Sequence, residues 1–228
     1  KADWAPRVLR AKTTFQALAR NSVDAYLHSV SIFRAEQRAQ LFSPALKREL
    51  QGYRVNEVFD AHAANCPSEH PLSLIQYLDT KTYLVGDILT KVDRASMAHS
   101  LEVRVPLLDH LFTEWVRGLP PDLKLRGGEG KYLLKKAHEP LLPRDVLYRA
   151  KMGFGVPLAA WFRGPLKERL RSSLLDGGLA DSGLFDGDTL SRLVNEHQSG
   201  RRDHSAPLWT LLMFQASTRE DMLSPGEG

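Results

Sequence analysis

A short basic loop two-thirds of the way along the chain holds residues suited to chemistry. In RAKMGFGVP (149–157), Lys151 precedes Gly153, and Phe154 lies between that glycine and Gly155. Lysine is a compact charge suited to phosphate, and flanking glycines let a loop close over a site and exclude water. A lysine on such a loop can neutralise charge that develops on a phosphate leaving group. Two interpretations remain: a catalytic loop, or a surface turn with an exposed lysine.

A second candidate is the stretch DILTKVDRASMAHS, in which charged and apolar residues alternate at helical spacing. Asp87, Lys91 and Arg94 stand at i, i+4 and i+7 on one face of a helix, with Asp93 beside them. The interleaved apolar residues predict that this helix is buried on one side, and partly buried charges need partners. A helix stabilised only by its own ion pairs is the structural alternative.

A third candidate, SLEVRVPLLDH, places Glu102 and Arg104 between apolar residues. In an extended segment both charges face the same side, because side chains alternate between the two faces. They could therefore pair with each other, or with Arg94 and Asp109.

Composition limits the class of protein. The chain has 228 residues, a net charge of +4, 43% hydrophobic residues and a single cysteine, Cys66, so it has no internal disulfide. These values favour a protein of the reducing cytoplasm. The basic balance suits an anionic small ligand such as a nucleotide, or nucleic acid, or an ordinary solvated surface. Of these we expect a small-molecule substrate and no nucleic acid. We also expect no membrane as partner, since no apolar run approaches the roughly 20 residues of a membrane helix.

The elements that must position these residues are mainly helices. Ser43 followed by Pro44 marks one helix start, and Asp188 is a possible cap of a later helix. GGEG (127–130) is interpreted as a surface turn, and Pro106 argues against a strand in LEVRVPLL. Helices are predicted within residues 22–30, 43–52, 79–100, 107–120, 131–143, 157–164, 165–175, 186–200 and 205–217.

The predicted fold class is mostly α. We predict a single compact, helical bundle-like domain over residues 1–223, followed by a disordered tail at 224–228. The chain does not begin with methionine, from which we expect it to be part of a longer or processed protein.

The order of four motifs resembles the C-terminal part of glutamine-hydrolysing asparagine synthetases. They are D-x-L-x-K-V-D-R-A-S-M-A, L-E-V-R-x-P-x-L-D, K-x-L-L-K-K-A and R-x-K-x-G-F-x-x-P, all present in this order. The resemblance runs from about Leu72 to Trp161 and continues weakly over residues 204–215.

The resemblance implies a fold and an activity for a longer enzyme. In such enzymes an N-terminal domain hydrolyses glutamine, and a synthetase domain with ATP and Mg²⁺ adenylates an aspartate carboxylate before ammonia displaces AMP. The family's S-G-G-x-D-S loop is missing from this sequence. The chain therefore resembles the helical C-terminal portion of an adenine-nucleotide α-hydrolase-like synthetase domain. Its implied partners are the glutaminase domain and the ATP-binding half of the same protein, and we expect this portion alone to be inactive and to bind no cofactor.

The resemblance also implies roles for individual residues. Lys151 matches a lysine that contacts pyrophosphate and the reacting intermediate, and Gly153 and Phe154 match the mobile part of its loop. For the other matching residues, a packing network that supports the site and direct substrate contact both remain open. They are Lys91, Asp93, Arg94, Glu102, Arg104 and Asp109.

Two alternatives to asparagine synthesis stay open. The chain could be a non-catalytic helical binding or scaffold module, or part of a relative that amidates a different acceptor.

Overall fold

The computed structural model describes residues 22–150 and 155–223, with side chains as far as residue 218. The protein is mostly helical, as the sequence predicts. In chain order the α-helices are α1 (Ser22–Val30), α2 (Ala35–Leu41), α3 (Pro44–Glu49), α4 (Asn56–Ala64), α5 (Pro71–Lys81), α6 (Thr90–Met97), α7 (His110–Gly118), α8 (Pro121–Lys124), α9 (Tyr132–His138), α10 (Arg144–Leu147), α11 (Leu158–Arg163), α12 (Lys167–Leu174), α13 (Gly187–Gln198) and α14 (Ser205–Leu223).

Shorter elements complete the chain. A π-helix (Leu84–Leu89) precedes α6, and 3₁₀-helices occupy Pro106–Leu108 and Leu179–Ser182. The strands within the described residues are β1 (Leu125–Arg126) and β2 (Glu129–Gly130), which pair antiparallel.

The chain divides into two compact units. The first joins the chain up to Leu27 to Val55–Gly153, and the second joins His28–Arg54 to Phe154–Gly228. A single domain over residues 1–223 stays a prediction, and the predicted tail at 224–228 lies outside the described residues.

The first unit has a small core between α1, α4 and α5. Tyr26, Leu27, Phe59 and Leu78 are its buried apolar residues. The hydroxyl of Tyr26 donates to Asp79 Oδ1 at 2.8 Å. Burial and this carboxylate, which both disfavour the phenolate, raise the pKa of Tyr26 to about 12. The contact fixes the middle of α1 against α5.

Helix α7 has apolar residues on two faces. Leu111 and Trp115 are one turn apart and 66% and 57% exposed. Phe112 and Val116, also one turn apart, line a cavity within the first unit.

The predicted surface turn at GGEG is confirmed as the turn of the β1–β2 hairpin. Arg126 pairs with Glu129 across a two-residue turn. Gly127 and Gly128 have φ of 57° and 83°. Positive φ at both central positions is the left-handed geometry that a two-residue hairpin needs, and glycine adopts it without a steric penalty.

The second unit has a larger core. Its fully or nearly buried residues come from α2, α11, α12, α13, α14 and the segment between α12 and α13, and they are Leu41, Phe162, Leu170, Leu174, Leu179, Phe185, Leu190, Leu193, Val194, Leu208, Leu211 and Leu212. The predicted cap Ser43 is confirmed, because its hydroxyl accepts from the backbone N–H of Leu46 at 3.1 Å.

The cap of α13 differs from the sequence prediction. Asp186, rather than Asp188, accepts from the backbone N–H of Thr189 at 2.7 Å. The backbone N–H of Asp186 donates to the carbonyl of Leu41 at 2.8 Å, which holds this residue at the helix start. The hydrogen bonds from Thr189 lower the pKa of Asp186.

Candidate functional site

Helix α6 carries Lys91, Asp93 and Arg94, which together with Glu102, Arg104 and Asp109 we call the signature residues. It continues from the π-helix, and the junction brings polar groups together. The hydroxyl of Thr90 donates to the carbonyl of Val85 at 2.8 Å, five residues back. Asp87 lies between two partners: Lys91 Nζ is 3.8 Å from its Oδ2, and a hydrogen bond between Tyr83 and Asp87 raises the pKa of that tyrosine. Single π-helical turns inside α-helices occur frequently at functional sites.

The extended segment after α6 holds the second pair of charges. Arg104 Nη2 lies 2.6 Å from Glu102 Oε1, so of the alternatives left open by the sequence these two residues pair with each other. Their side chains are 82% and 71% exposed. An ion pair this exposed contributes little to the stability of the fold. Stability therefore does not explain why these two charges stand at this position.

The remaining signature residues do not join these pairs. The side chains of Asp93 and Arg94 are exposed and form no ion pair or hydrogen bond with any residue in the described ranges. Asp109 instead caps α7, accepting from the backbone N–H of Phe112 at 3.0 Å. The structure therefore gives Asp109 a local folding role and, among the described residues, leaves one unpaired anion, one unpaired cation and two ion pairs facing solvent.

The prediction that α6 is buried on one side is wrong for the described residues. None of its residues is buried, and Met97 is 58% exposed. The apolar residues that follow are also open to solvent. We define the exposed apolar stretch as Met97, Leu101, Val103, Val105, Leu111 and Trp115, which are 44% to 66% exposed.

The exposed apolar stretch is unusual for a folded chain. Single exposed hydrophobic residues are ordinary, but a run of them next to charged residues is typical of an interaction surface. An apolar pattern shows which face of a helix is suited to burial, but that face is buried only where another surface packs on it. This is the physical reason why the prediction is wrong. Within the described ranges no other residue buries this face.

A polar network before the basic loop was not found from the sequence. The hydroxyl of Tyr148 donates to Glu139 Oε1 at 2.6 Å, and Lys136 Nζ donates to both oxygens of the same carboxylate at 3.1 Å. These hydrogen bonds lower the pKa of Glu139. Lys135 and Arg144 lie 5.2 Å and 5.0 Å from the centre of the Tyr148 ring.

This network joins the K-x-L-L-K-K-A motif to the chain that leads into the basic loop. Lys135 also forms an ion pair with Glu129 of β2. The spacing of Lys136 and Glu139, at i and i+3, is the one sequence signal that could have indicated it.

Three predicted residues cannot be placed. Lys151, Gly153 and Phe154 lie outside the described residues. In the described part of the chain, no group of three or more His, Cys, Asp or Glu side chains is arranged to hold a metal ion. No helix in that part combines the length and apolar character needed to cross a membrane.

Comparison with known proteins gives consistent similarities. The family model described as asparagine synthase matches residues 2–219. The chain is 32% identical, over 92% of its length, to asparagine synthetase [glutamine-hydrolyzing] 1 of Bacillus subtilis, of which it covers 32%. It is 38% identical, over 82% of its length, to a putative asparagine synthetase [glutamine-hydrolyzing] of Mycobacterium tuberculosis, of which it covers 30%.

A more distant similarity concerns a protein with another name. The chain is 31% identical, over 51% of its length, to an amidase of Gibberella zeae, of which it covers 18%. No solved structure is significantly similar to this chain. The chain thus spans about a third of the length of the curated synthetases it matches.

Proposed function

Because this chain belongs to the asparagine synthase family, we propose that it forms the helical part of an ATP-dependent synthetase. In the proposed reaction an oxygen of the aspartate side-chain carboxylate attacks the α-phosphorus of ATP, and pyrophosphate leaves. Ammonia derived from glutamine then attacks the acyl carbon, and AMP leaves with the carboxylate oxygen. Since the chain is a third of the length of its relatives, the activity is assigned to the longer protein and not to this portion.

The observation that carries the proposal is the exposure of the family's signature segment. The exposed apolar stretch has no covering partner in the described residues, whereas the second unit buries twelve apolar residues in its core. Exposing such an apolar face to water is unfavourable, and burying it against another surface lowers the free energy. We propose that it packs against the ATP-binding half of the same protein, with the glutaminase domain as the further partner.

The exposed charges then lie at the edge of that contact. Lys91, Arg94 and Arg104 are cations on elements that also contribute to the exposed apolar stretch, where excluding water strengthens their attraction for phosphate oxygens. Asp87 and Glu102 hold two of these cations in place before any substrate binds. Asp93 remains a proposed member of this group, through either packing or substrate contact.

These residues suit ATP better than they suit Mg²⁺. The cations suit the phosphates of ATP, while the described residues offer no cluster of ligands for a metal. The residues named here would bind and orient the nucleotide's phosphates and exclude water.

Lys151 is the proposed catalytic residue, with Gly153 and Phe154 as supporting residues of its loop. The negative charge on departing pyrophosphate grows as the bond to the α-phosphorus breaks. A lysine that meets this charge mainly in the transition state raises the turnover number rather than ground-state binding. The polar network around Tyr148 supports the proposal because it fixes the chain three residues before Lys151.

The test is steady-state kinetics of the full-length protein, measured as pyrophosphate release that depends on aspartate and on glutamine. Lys151→Ala should lower kcat by about a hundred- to thousand-fold with a small change in the KM for ATP, as is typical for one lost electrostatic contact. Lys151→Arg should rescue poorly, because a planar fork does not replace a compact ammonium. Lys47→Ala, an exposed lysine of α3, is the matched control.

Two results would count against the proposal. Near-normal turnover of Lys151→Ala would make the loop a surface turn, and absence of aspartate-dependent pyrophosphate release would exclude aspartate as acceptor. The similarity to a protein named an amidase shows that relatives of this chain do not all have the synthetase name, and the second candidate is a synthetase that amidates another carboxylate. Pyrophosphate release with a panel of carboxylic acids in place of aspartate separates these two functions.

A further inference from the structure

A cavity of about 490 Å³ lies within the first unit, between α5, the segment before it, and α7. Pockets of 300–1,000 Å³ with mainly apolar walls and a few polar groups are typical small-molecule sites. The apolar wall here includes Ile75 of α5 and Leu108, Phe112 and Val116 on and beside α7. None of the family's signature residues from Lys91 to Arg104 lines it.

Two cations meet at one end of this cavity. Lys124 Nζ donates to the backbone carbonyl of Arg117 at 3.0 Å, so the lysine is held beside the last turn of α7. The guanidinium of Arg117 lies 5.1 Å from the centre of the Tyr77 ring. Neither cation forms an ion pair with a carboxylate in the described part of the chain.

The neighbouring charges leave this end of the cavity short of an anion. Burial, and then the like charge of Arg117, lower the pKa of Lys124, which means that the ammonium is poorly compensated. Among the described residues, Asp79 is the only carboxylate in the lining, and it already accepts from the hydroxyl of Tyr26 at 2.8 Å. The lining thus holds two cations and one carboxylate, and Lys81 Nζ lies 5.8 Å from the centre of the Tyr77 ring as a third cation nearby, so this end of the cavity suits a small anion such as a carboxylate.

We propose that this cavity binds a small monocarboxylate with an apolar body. The carboxylate would lie between Arg117 and Lys124, and the apolar body would pack on Ile75 and on the cavity face of α7. That face, Phe112 and Val116, adjoins the outward face of Leu111 and Trp115, and the centres of the Phe112 and Trp115 rings are 5.9 Å apart, but no residue of the exposed apolar stretch lines the cavity. The site therefore goes beyond the proposed synthetase function.

The chain provides its own reporter for the test. Cys66 is the one cysteine of the sequence, it is half-buried, and it lines the cavity. Its rate of alkylation by neutral N-ethylmaleimide, followed by mass spectrometry, measures access to the cavity. The probes are octanoate, 1-octanol and octylamine, which share a chain length and differ in the charge of the head group.

Octanoate should slow alkylation of Cys66 at least tenfold at saturation, and it should act at a concentration at least tenfold below that of 1-octanol. Octylamine should give no protection. Lys124→Met keeps an unbranched apolar stem and removes the charge, so octanoate should lose its advantage over 1-octanol. Lys136→Met, which removes a cation outside the cavity, is the control and should keep it.

Absence of protection by octanoate, or equal protection by octanoate and 1-octanol, would overturn the proposal. Should Lys124→Met fail to fold by circular dichroism, Arg117→Met provides the same comparison. The alkylation is repeated on the full-length protein, where ligand-dependent protection should persist. Slow alkylation that octanoate does not change would show that another part of the protein fills the cavity, and would also overturn the proposal.

Discussion

Replacing Leu111 by glutamine tests whether the exposed apolar stretch is an internal surface of the longer protein. Leu111 is 66% exposed in this chain. An exposed substitution away from special features changes the free energy of unfolding by less than about 0.5 kcal/mol. The isolated chain carrying Leu111→Gln should therefore unfold at nearly the same urea concentration as the wild type.

The same change should be costly in the full-length protein. Complete burial of a leucine contributes roughly 1.5–3 kcal/mol, and about two-thirds of that remains to be gained at Leu111, which gives roughly 1–2 kcal/mol. A buried amide without a partner adds about 1–3 kcal/mol. We expect a loss of roughly 2–5 kcal/mol, measured by urea unfolding of the part that contains α7.

A core variant provides the control for this comparison. Leu190 in α13 is completely buried, so Leu190→Ala should cost about 2–5 kcal/mol in both the isolated chain and the full-length protein. If Leu111→Gln were equally mild in both proteins, the stretch would be an ordinary exposed surface and the reasoning would be refuted.

Two further predictions concern the second unit. Asp186→Ala should remove the cap of α13 and cost about 1 kcal/mol in urea unfolding. Asp188→Ala should change the free energy of unfolding by a few tenths of a kcal/mol at most. Equal costs of the two changes would contradict the assignment of the cap to Asp186. Burial, and then the charge of Arg163, lower the pKa of His197, so the folded protein favours the neutral ring. His197 should make its full contribution to the free energy of unfolding above about pH 6.5, the ordinary pKa of histidine. This contribution should be lost as the pH falls through the lowered pKa. His197→Gln should flatten this part of the stability profile and His99→Gln, at an exposed position, should not; an unchanged profile in both would contradict the assignment.

Local signals in the sequence predict most helices of this fold. Ser43 followed by Pro44 specifies a helix start without reference to the rest of the chain, and the structure confirms it. The cap of α13 shows the limit of such signals. The sequence DGDT offers two aspartates, and the choice of Asp186 depends on a hydrogen bond from its backbone N–H to the carbonyl of Leu41, about 145 positions earlier.

Local signals in the sequence do not predict the π-helix before α6 either. Gly86 lies inside the π-helix, but a glycine at this position does not indicate that the hydrogen bonds shift to a spacing of five residues. The candidate site follows the same rule. The types and order of Lys91, Asp93 and Arg94 are enough to indicate a family. How far these side chains are exposed depends on whether another surface packs over them, which the local sequence does not determine.

The most direct test of the proposed function follows the oxygen atoms of the acceptor. The full-length protein is incubated with ATP, glutamine and aspartate labelled with ¹⁸O in its side-chain carboxylate, and the AMP is examined by mass spectrometry. If the carboxylate attacks the α-phosphorus, one labelled oxygen should appear in AMP for each asparagine formed. AMP without label, in the presence of newly formed asparagine, would contradict activation of the carboxylate by adenylation.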